Sequence, residues 1–257
     1  MKDGSCIVIG GAGGMGVQIC RKLLENDIAN LAIVDIQTKP VDLLDKLKTQ
    51  NPTTRIVYFE CDISVKDELE STFQSIADMF KQVGILINAA GTFNDKDVQL
   101  TFKVNVFGMI YSTMLGMEIM SKEKRNGSTD AVIVNIASLV GLDPFHLLPI
   151  YTASKHAIVG FSRAYSHECY SGRSGVKIVV LCPGATTTSF VRQFSGNMIV
   201  PDEIDALNFF RSVPMQSSER VAEHTIELIK TAENGTVWLS DNGSLTKITM
   251  TTYGKYN

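Results

Sequence analysis

Only five cysteines occur in the 257-residue sequence, and none forms a C-x-x-C pair, which excludes a disulfide scaffold and a zinc ribbon. Cys6, Cys20, Cys61, Cys169 and Cys182 read instead as free thiols of the core, three of them in short apolar runs. No stretch approaches the roughly 18 continuous apolar residues of a spanning helix, and no C-terminal lipidation box is present. Met1-Lys2-Asp3-Gly4 passes straight into a strand-like run without a leader pattern, so a cytoplasmic protein with no transmembrane anchor is expected. There is no Lys/Arg-rich block either: 24 basic against 27 acidic residues leave a formal net charge of -3, a poor surface for nucleic acid. The four histidines, His146, His156, His167 and His224, lack H-E-x-x-H or cysteine-partnered spacing, so no metal is expected. With 44% hydrophobic and 20% charged residues the composition excludes disordered and fibrous classes. The length suits one large α/β domain over residues 1–257.

What is present is an alternation of short β-rich runs with longer stretches of helical period, the pattern of a parallel sheet covered by helices on both faces. The runs are Ser5–Gly10, Asn30–Asp35, Arg55–Cys61, Ile85–Asn88, Ala131–Ala137, Val176–Cys182 and Thr236–Leu239. Several are apolar almost throughout, as strands buried on both faces are. Helical patterns include Gly14–Asn26, Val65–Gln82, Lys96–Met120, Ile150–Tyr170 and Ser217–Thr231. The segment 186–217 breaks the rhythm with Gly196-Asn197 and two prolines, and reads as a mobile lid over a site.

Between the first strand and the first helix stands Gly10-Gly11-Ala12-Gly13-Gly14-Met15-Gly16. Small residues there let the backbone approach a pyrophosphate, whose charge then rests on free N–H groups at the positive end of a helix. Nineteen residues after Gly16, the second strand ends on Asp35, where a carboxylate accepts from the two hydroxyls of an adenosine ribose. It repels a 2′-phosphate, and no arginine follows to bind one, so NAD is favoured over NADP. Asp62, followed by Ile63, ends the third strand similarly and is placed to meet the adenine amino group.

Tyr151-Thr152-Ala153-Ser154-Lys155 puts a phenol and an ammonium at i and i+4, on one face of a helix. A cation beside a tyrosine stabilises phenolate and lowers a pKa that is otherwise near 10, making the phenol able to exchange a proton with an alcohol. Ser138, thirteen residues upstream, ends the fifth strand at the carboxyl edge, where α/β sheets bind ligands.

Together, Gly10-x-x-x-Gly14-Met15-Gly16, Asn88-Ala89-Ala90-Gly91, Asn105, Ser138, Tyr151-x-x-x-Lys155 and Pro183-Gly184 resemble the classical short-chain dehydrogenases/reductases over nearly the whole chain. The resemblance implies a Rossmann-type, doubly wound seven-stranded sheet of order 3-2-1-4-5-6-7, and hydride transfer between a nicotinamide ring and a hydroxyl or carbonyl carbon. It implies Tyr151 as acid/base, Lys155 lowering its pKa while binding the nicotinamide ribose, Ser138 orienting the substrate oxygen and Asn105 supporting a proton-relay water. Asn88, Ala89, Ala90 and Gly91 would line the adenosine side of the cofactor pocket. Pro183, Gly184, Thr186 and Thr188 would hold the carboxamide end. Two departures stand out: Ile9 where the family has threonine, and Ala137-Ser138 where it has two serines. Phe93-Asn94-Asp95-Lys96-Asp97 and Gly235-Thr236-Val237-Trp238 resemble the insect alcohol dehydrogenase branch, which includes a photoreceptor retinol dehydrogenase.

Phe190, Phe194, Met198, Ile199, Leu207, Phe209 and Phe210 crowd the lid, where they suit an apolar alcohol or simply pack the lid to the body. His146 stands either at the pocket mouth or, better, in a surface loop. The reading is an NAD-dependent alcohol dehydrogenase. Its rivals are a catalytically silent NAD-binding storage or regulatory relative, and an epimerase or dehydratase, for which the chain has little room. Family members commonly pair through two long helices, here around 98–120 and 150–170, so a homodimer or tetramer is expected. The tail Tyr253–Asn257 either joins that interface or is disordered.

Overall fold

The computed structural model describes residues 4–127, 131–188, 195–199 and 212–251. Strands β1 (Ser5–Ile9), β2 (Asn30–Asp35), β3 (Arg55–Glu60), β4 (Ile85–Asn88), β5 (Ala131–Ile136) and β6 (Val176–Pro183) alternate with helices α1 (Gly14–Glu25), α2 (Val41–Gln50), α3 (Lys66–Phe80), α4 (Val98–Phe102), α5 (Met109–Ile119), α6 (Pro149–Tyr165) and α7 (Glu168–Ser174). Two-residue strands β7 (Thr186–Thr187) and β8 (Gln216–Ser217) follow, then α8 (Ser218–Thr231), β9 (Val237–Asp241) and β10 (Ser244–Ile248).

The main sheet runs β10-β9-β6-β5-β4-β1-β2-β3, parallel except for β10, which returns antiparallel on β9. The expected order is present, with β9 in seventh place, and an eighth strand is added to the expected seven. The hairpin that adds it turns at Asn242 and Gly243, both at positive φ (45° and 75°), the backbone that an Asn-Gly pair adopts readily.

Period-two alternation decides which face each strand side chain feeds. Cys6 and Val8 of β1 join a cluster with Ile19, Leu23 and Val221 under α1 and α8. Ile7 and Ile9 join the opposite cluster with Leu69, Phe73 and Met117 under α3 and α5. Because β1 leads onward to β2 and is flanked by β4, the strand order reverses between β1 and β4, and it is outside the carboxyl ends of strands at such a point that open α/β sheets take ligands.

Two expected helices are interrupted. The run read as Lys96–Met120 begins at Val98, capped by Asp97, whose carboxylate accepts from Leu100 N at 2.9 Å. It then passes through a π-helical segment, Lys103–Gly108, before α5. The run read as Ile150–Tyr170 breaks at Ser166 and His167, where His167 turns extended and accepts from Cys169 N as the cap of α7. That break leaves Cys169 exposed, correcting its reading as a core thiol; the other four cysteines are buried. Among the described residues no helix is long and apolar enough to cross a membrane.

Candidate active site and cofactor cleft

The glycine loop is held from three sides. Gly10 sits at φ 77°, donates to Val34 O at 2.7 Å, and passes so close to β4 that a Cβ there would lie 2.6 Å from Ala90 Cα. A Cβ on Gly16 would overlap the Gly10 carbonyl oxygen and lie 2.7 Å from Gly11 Cα. Met15 packs partly buried beside the core cluster under α1. A Cβ on Gly14 would meet Thr188 at 3.2 Å, which places the stretch after β6 across the loop.

Asp35, 7% exposed, accepts from Ala12 N at 3.0 Å and from Gln37 N at 3.1 Å, so its carboxylate ties the glycine loop to the end of β2. The helix that follows the loop opens at Gly13 with no side-chain cap and no acidic residue in its first turn. Its N-terminal N–H groups and positive dipole end are chemistry that fits a pyrophosphate. Asp62 is half-buried just after β3 and accepts from Ser64 N at 2.9 Å, while Ile63 is buried and packs against Gly108.

Asn88 has a second occupation that spacing alone does not reveal. Its side chain, 2% exposed, donates to Asn135 Oδ1 at 2.8 Å and Thr113 Oγ1 at 3.1 Å, and accepts from Ser112 Oγ at 2.7 Å. Asn135 in turn donates to Ser162 Oγ at 2.8 Å. This buried network ties β4, β5, α5 and α6 together, so Asn88 meets the cleft through its neighbours Ala89, Ala90 and Gly91, which are partly buried or exposed.

On the other side of the crevice the expected group assembles. Ser138 and Tyr151 share a hydrogen bond. Lys155 Nζ lies 5.5 Å from the centre of the Tyr151 ring and donates to Ile136 O at 3.2 Å. Close approach is possible because Gly141, three residues after Ser138, has no Cβ; one there would sit 2.8 Å from Lys155 O. Asn105, fully buried in the π-helical segment, donates to Thr92 O at 2.7 Å and to Ser154 Oγ at 3.0 Å, and accepts from Thr92 N at 2.8 Å. A π-helical turn carries one residue more than an α turn, and such turns recur at functional sites. A Cβ on Gly91 would lie 3.4 Å from Asn105 Oδ1 and 3.5 Å from Lys155 Nζ, so the β4 loop, α6 and the π segment converge.

Burial dominates the electrostatics. It pulls Lys155 down to about 8 and pushes the Tyr151 phenol above its ordinary value, while the hydrogen bond with Ser138 draws the phenol back. Phe93, Leu148 and Met198 form a small buried cluster with Phe145, Leu147 and Tyr151 packed on it, an apolar wall beside the phenol. Of the other lid positions named from the sequence, Ile199 is exposed, whereas Phe190, Phe194, Leu207, Phe209 and Phe210 lie outside the described residues, as does the tail 253–257. His146 is exposed and edge-on to Phe145 at 5.4 Å, a surface-loop position.

Asp95, which the sequence offers only within the Phe93–Asp97 resemblance, and the buried set His224, Ser240 and Gln216 take parts in the fold that their spacing does not announce. His224 Nδ1 stands 2.8 Å from Ser240 Oγ, and Gln216 Nε2 donates to Ser240 O at 2.6 Å. Thr186, which faces Gln216 across β7 and β8, donates to Gly184 O at 2.9 Å, so this set braces the stretch beginning at Pro183-Gly184.

A family model described as short chain dehydrogenase matches residues 5–198. "Alcohol dehydrogenase 2" of Ceratitis capitata is 32% identical over 247 residues, covering 96% of this chain and 95% of the relative. A short chain dehydrogenase/reductase from Burkholderia phymatum, solved in complex with NAD, superposes with a TM-score of 0.78 at 24% identity, covering 93% of this chain and 89% of that one. ElxO, solved with NADP bound, gives a TM-score of 0.76 at 22% identity, with 95% and 98% covered. Glycine loop, Tyr-Lys pair and strand-end serine thus stand on a shared sheet, and the chain belongs to the short-chain dehydrogenase family of oxidoreductases, on its insect alcohol dehydrogenase-like branch.

Proposed function

We propose that this protein is an NAD-dependent dehydrogenase that interconverts an apolar alcohol, a secondary alcohol or a retinol-like one, with its carbonyl. The observation that carries the reading is the convergence of Ser138, Tyr151, Lys155 and Asn105 beside an apolar wall at the carboxyl edge of the sheet. A bound nicotinamide dinucleotide supplies the hydride acceptor in oxidation and the donor in reduction. Ser138 holds the substrate oxygen by its hydroxyl. Tyr151 moves the proton at that oxygen, taking it as phenolate in oxidation and giving it as phenol in reduction. A buried phenol resists ionisation, so the base form needs Lys155 protonated nearby; with its pKa near 8, Lys155 keeps its proton at neutral pH. Asn105, anchored on Thr92 and Ser154, fixes the floor beside Lys155.

Asp35 supports NAD over NADP, because a carboxylate already holding two backbone amides cannot turn away from a 2′-phosphate. Solved relatives of the fold carry either dinucleotide. Gly10, Gly14, Met15, Gly16, Asp62, Ile63 and the stretch from Pro183 to Thr188 would line the rest of the cleft, with segment 186–217 as lid on one domain. The exposed Phe107 (51%) and Met114 (46%), with Val98 and Leu100 along the same stretch, support a homodimer through that face.

The test follows NADH formation by its near-ultraviolet absorbance with NAD or NADP and alcohols from short secondary ones to retinol, beside Tyr151→Phe. NAD-dependent turnover lost in Tyr151→Phe is expected. NADH binding without turnover of any alcohol would favour a silent dinucleotide-binding relative.

A further inference from the structure

Asp95 is a carboxylate with 1% of its surface exposed, in the loop between β4 and α4, and it is far in sequence from the helix it serves. Its Oδ2 accepts from Ile150 N at 2.8 Å and its Oδ1 from Tyr151 N at 2.9 Å, two of the orphan amides in the first turn of α6. The helix has no cap of its own: Leu148 offers no side-chain acceptor, and Pro149 at the start has no N–H. A negative charge there also meets the positive end of the α6 dipole. The same residue faces the opposite way through its backbone, donating to Asn197 O at 2.9 Å, and its neighbour Lys96 donates by Nζ to Gly196 O at 2.7 Å. Met198, next along that turn, is fully buried with Phe93 and Leu148 against Tyr151.

We propose that Asp95 is a positioning residue that couples the 195–199 turn on the substrate side to the placement of the Tyr151 phenol. The proposal rests on the dehydrogenase reading for its kinetic consequence, though not for the coupling itself. Tyr151 hangs on a helix start whose first amides are fixed by Asp95, so a displacement of the turn is transmitted to the backbone that carries the phenol. Loss of the carboxylate frees the helix start, and a misplacement of about 1 Å in a reacting group can cost about 100-fold in rate.

Two variants and two readouts test this. Asp95→Ala should lower kcat by roughly 10- to 100-fold and raise KM for the alcohol, while the NADH Kd stays within about 2-fold, because the glycine loop lies across the cleft. Asp95→Asn keeps one acceptor but sets its NH2 against the second backbone amide, so it should fold and show the same changes in kcat and protection to a smaller degree. Amide hydrogen exchange reads the coupling without turnover: in Asp95→Ala, peptides covering 148–152 and 195–199 should both lose protection. An unchanged kcat per folded molecule with only a lower Tm would reduce Asp95 to a structural cap and overturn the proposal. Loss of protection at 148–152 with none at 195–199 would overturn the coupling. Should the alanine variant not fold, Asp95→Asn is judged by the same two readouts. A wild-type protein that oxidises no alcohol defeats the dehydrogenase reading, and the exchange comparison still decides the coupling.

Discussion

Gly16→Ala tests the glycine loop where its geometry leaves no escape. The added Cβ would overlap the carbonyl oxygen of Gly10 and lie 2.7 Å from Gly11 Cα, so the obstacles are backbone atoms and no rotamer change relieves them. Carbon atoms pack best at about 3.5 Å or more. Helix α1 must therefore retreat from the loop by at least about 0.8 Å. Overpacking of a dense site costs about 1–3 kcal/mol, and a backbone clash belongs at the upper end. Against this, alanine is favoured over glycine inside a helix by about 1 kcal/mol. The balance is about 2 kcal/mol of destabilisation, a fall in Tm of roughly 4–8 °C for a chain of this length. The retreat also draws the N-terminal amides of α1 away from the cleft. Losing one charge-assisted hydrogen bond, about 1.5–3 kcal/mol, should raise the NADH Kd by at least roughly 10-fold. Calorimetry and NADH fluorescence titration measure both effects. Two other glycines grade the series. A Cβ on Gly14 meets only the Thr188 side chain, at 3.2 Å, so Gly14→Ala should be milder. Gly84→Ala meets nothing within 4 Å and should be neutral or slightly stabilising. If Gly16→Ala behaves like Gly84→Ala in both assays, the close-approach argument is wrong.

Lys155, pulled down to about 8 in the fold from an ordinary 10.5, lets the unfolded chain bind more protons between those values. Stability should accordingly rise with pH through that window, and urea midpoints should lose that component of the slope in Lys155→Met. Asn135→Ala strands Asn88 and Ser162 in the core, so a loss of about 3 kcal/mol is expected in urea unfolding, with loss under about 1 kcal/mol counting against the network. Phe107→Glu places a charge on the exposed apolar face of the π segment and should leave light scattering reporting only the 28.2 kDa monomer, where the wild type should give twice that mass. If the wild type is itself monomeric, the dimer reading fails.

The strands and the first turn were legible because their signals are local. Apolar runs such as Cys6–Ile9 report burial on both faces, and a glycine cluster between strand and helix constrains both at once. Tyr151 and Lys155 were legible because one helix fixes their geometry, and Ser138 because strand ends converge on one edge. What escaped depends on contacts between distant segments. Asp95 looks like any loop aspartate until α6 is folded against it, and nothing in the spacing around Asn88 announces that Asn135, Thr113 and Ser112 hold its side chain. The break at His167 falls inside a run whose polar period continues unaltered, so periodicity carries no trace of it. The Asn242-Gly243 turn was readable in principle, and only its exposed partner strand, with its mixed polar face, concealed the hairpin.

The π-helical turn at Lys103–Gly108 makes residue count a determinant of orientation. Along an α-helix each residue advances the direction of its side chain by about 100°. Deleting one residue between Lys103 and Gly108 would restore an ordinary helix and rotate all of α5 by that amount against α4. Ser112 and Thr113, which now point inward to Asn88 and Asn135, would turn off the network, and the outward Met114 would swing toward another surface. An insertion or deletion is usually absorbed by a loop, but here the extra residue acts like a tooth in a gear, setting the phase of everything downstream. A relative lacking that residue would need a different way to carry its asparagine to the lysine, even if every other residue of the site were the same.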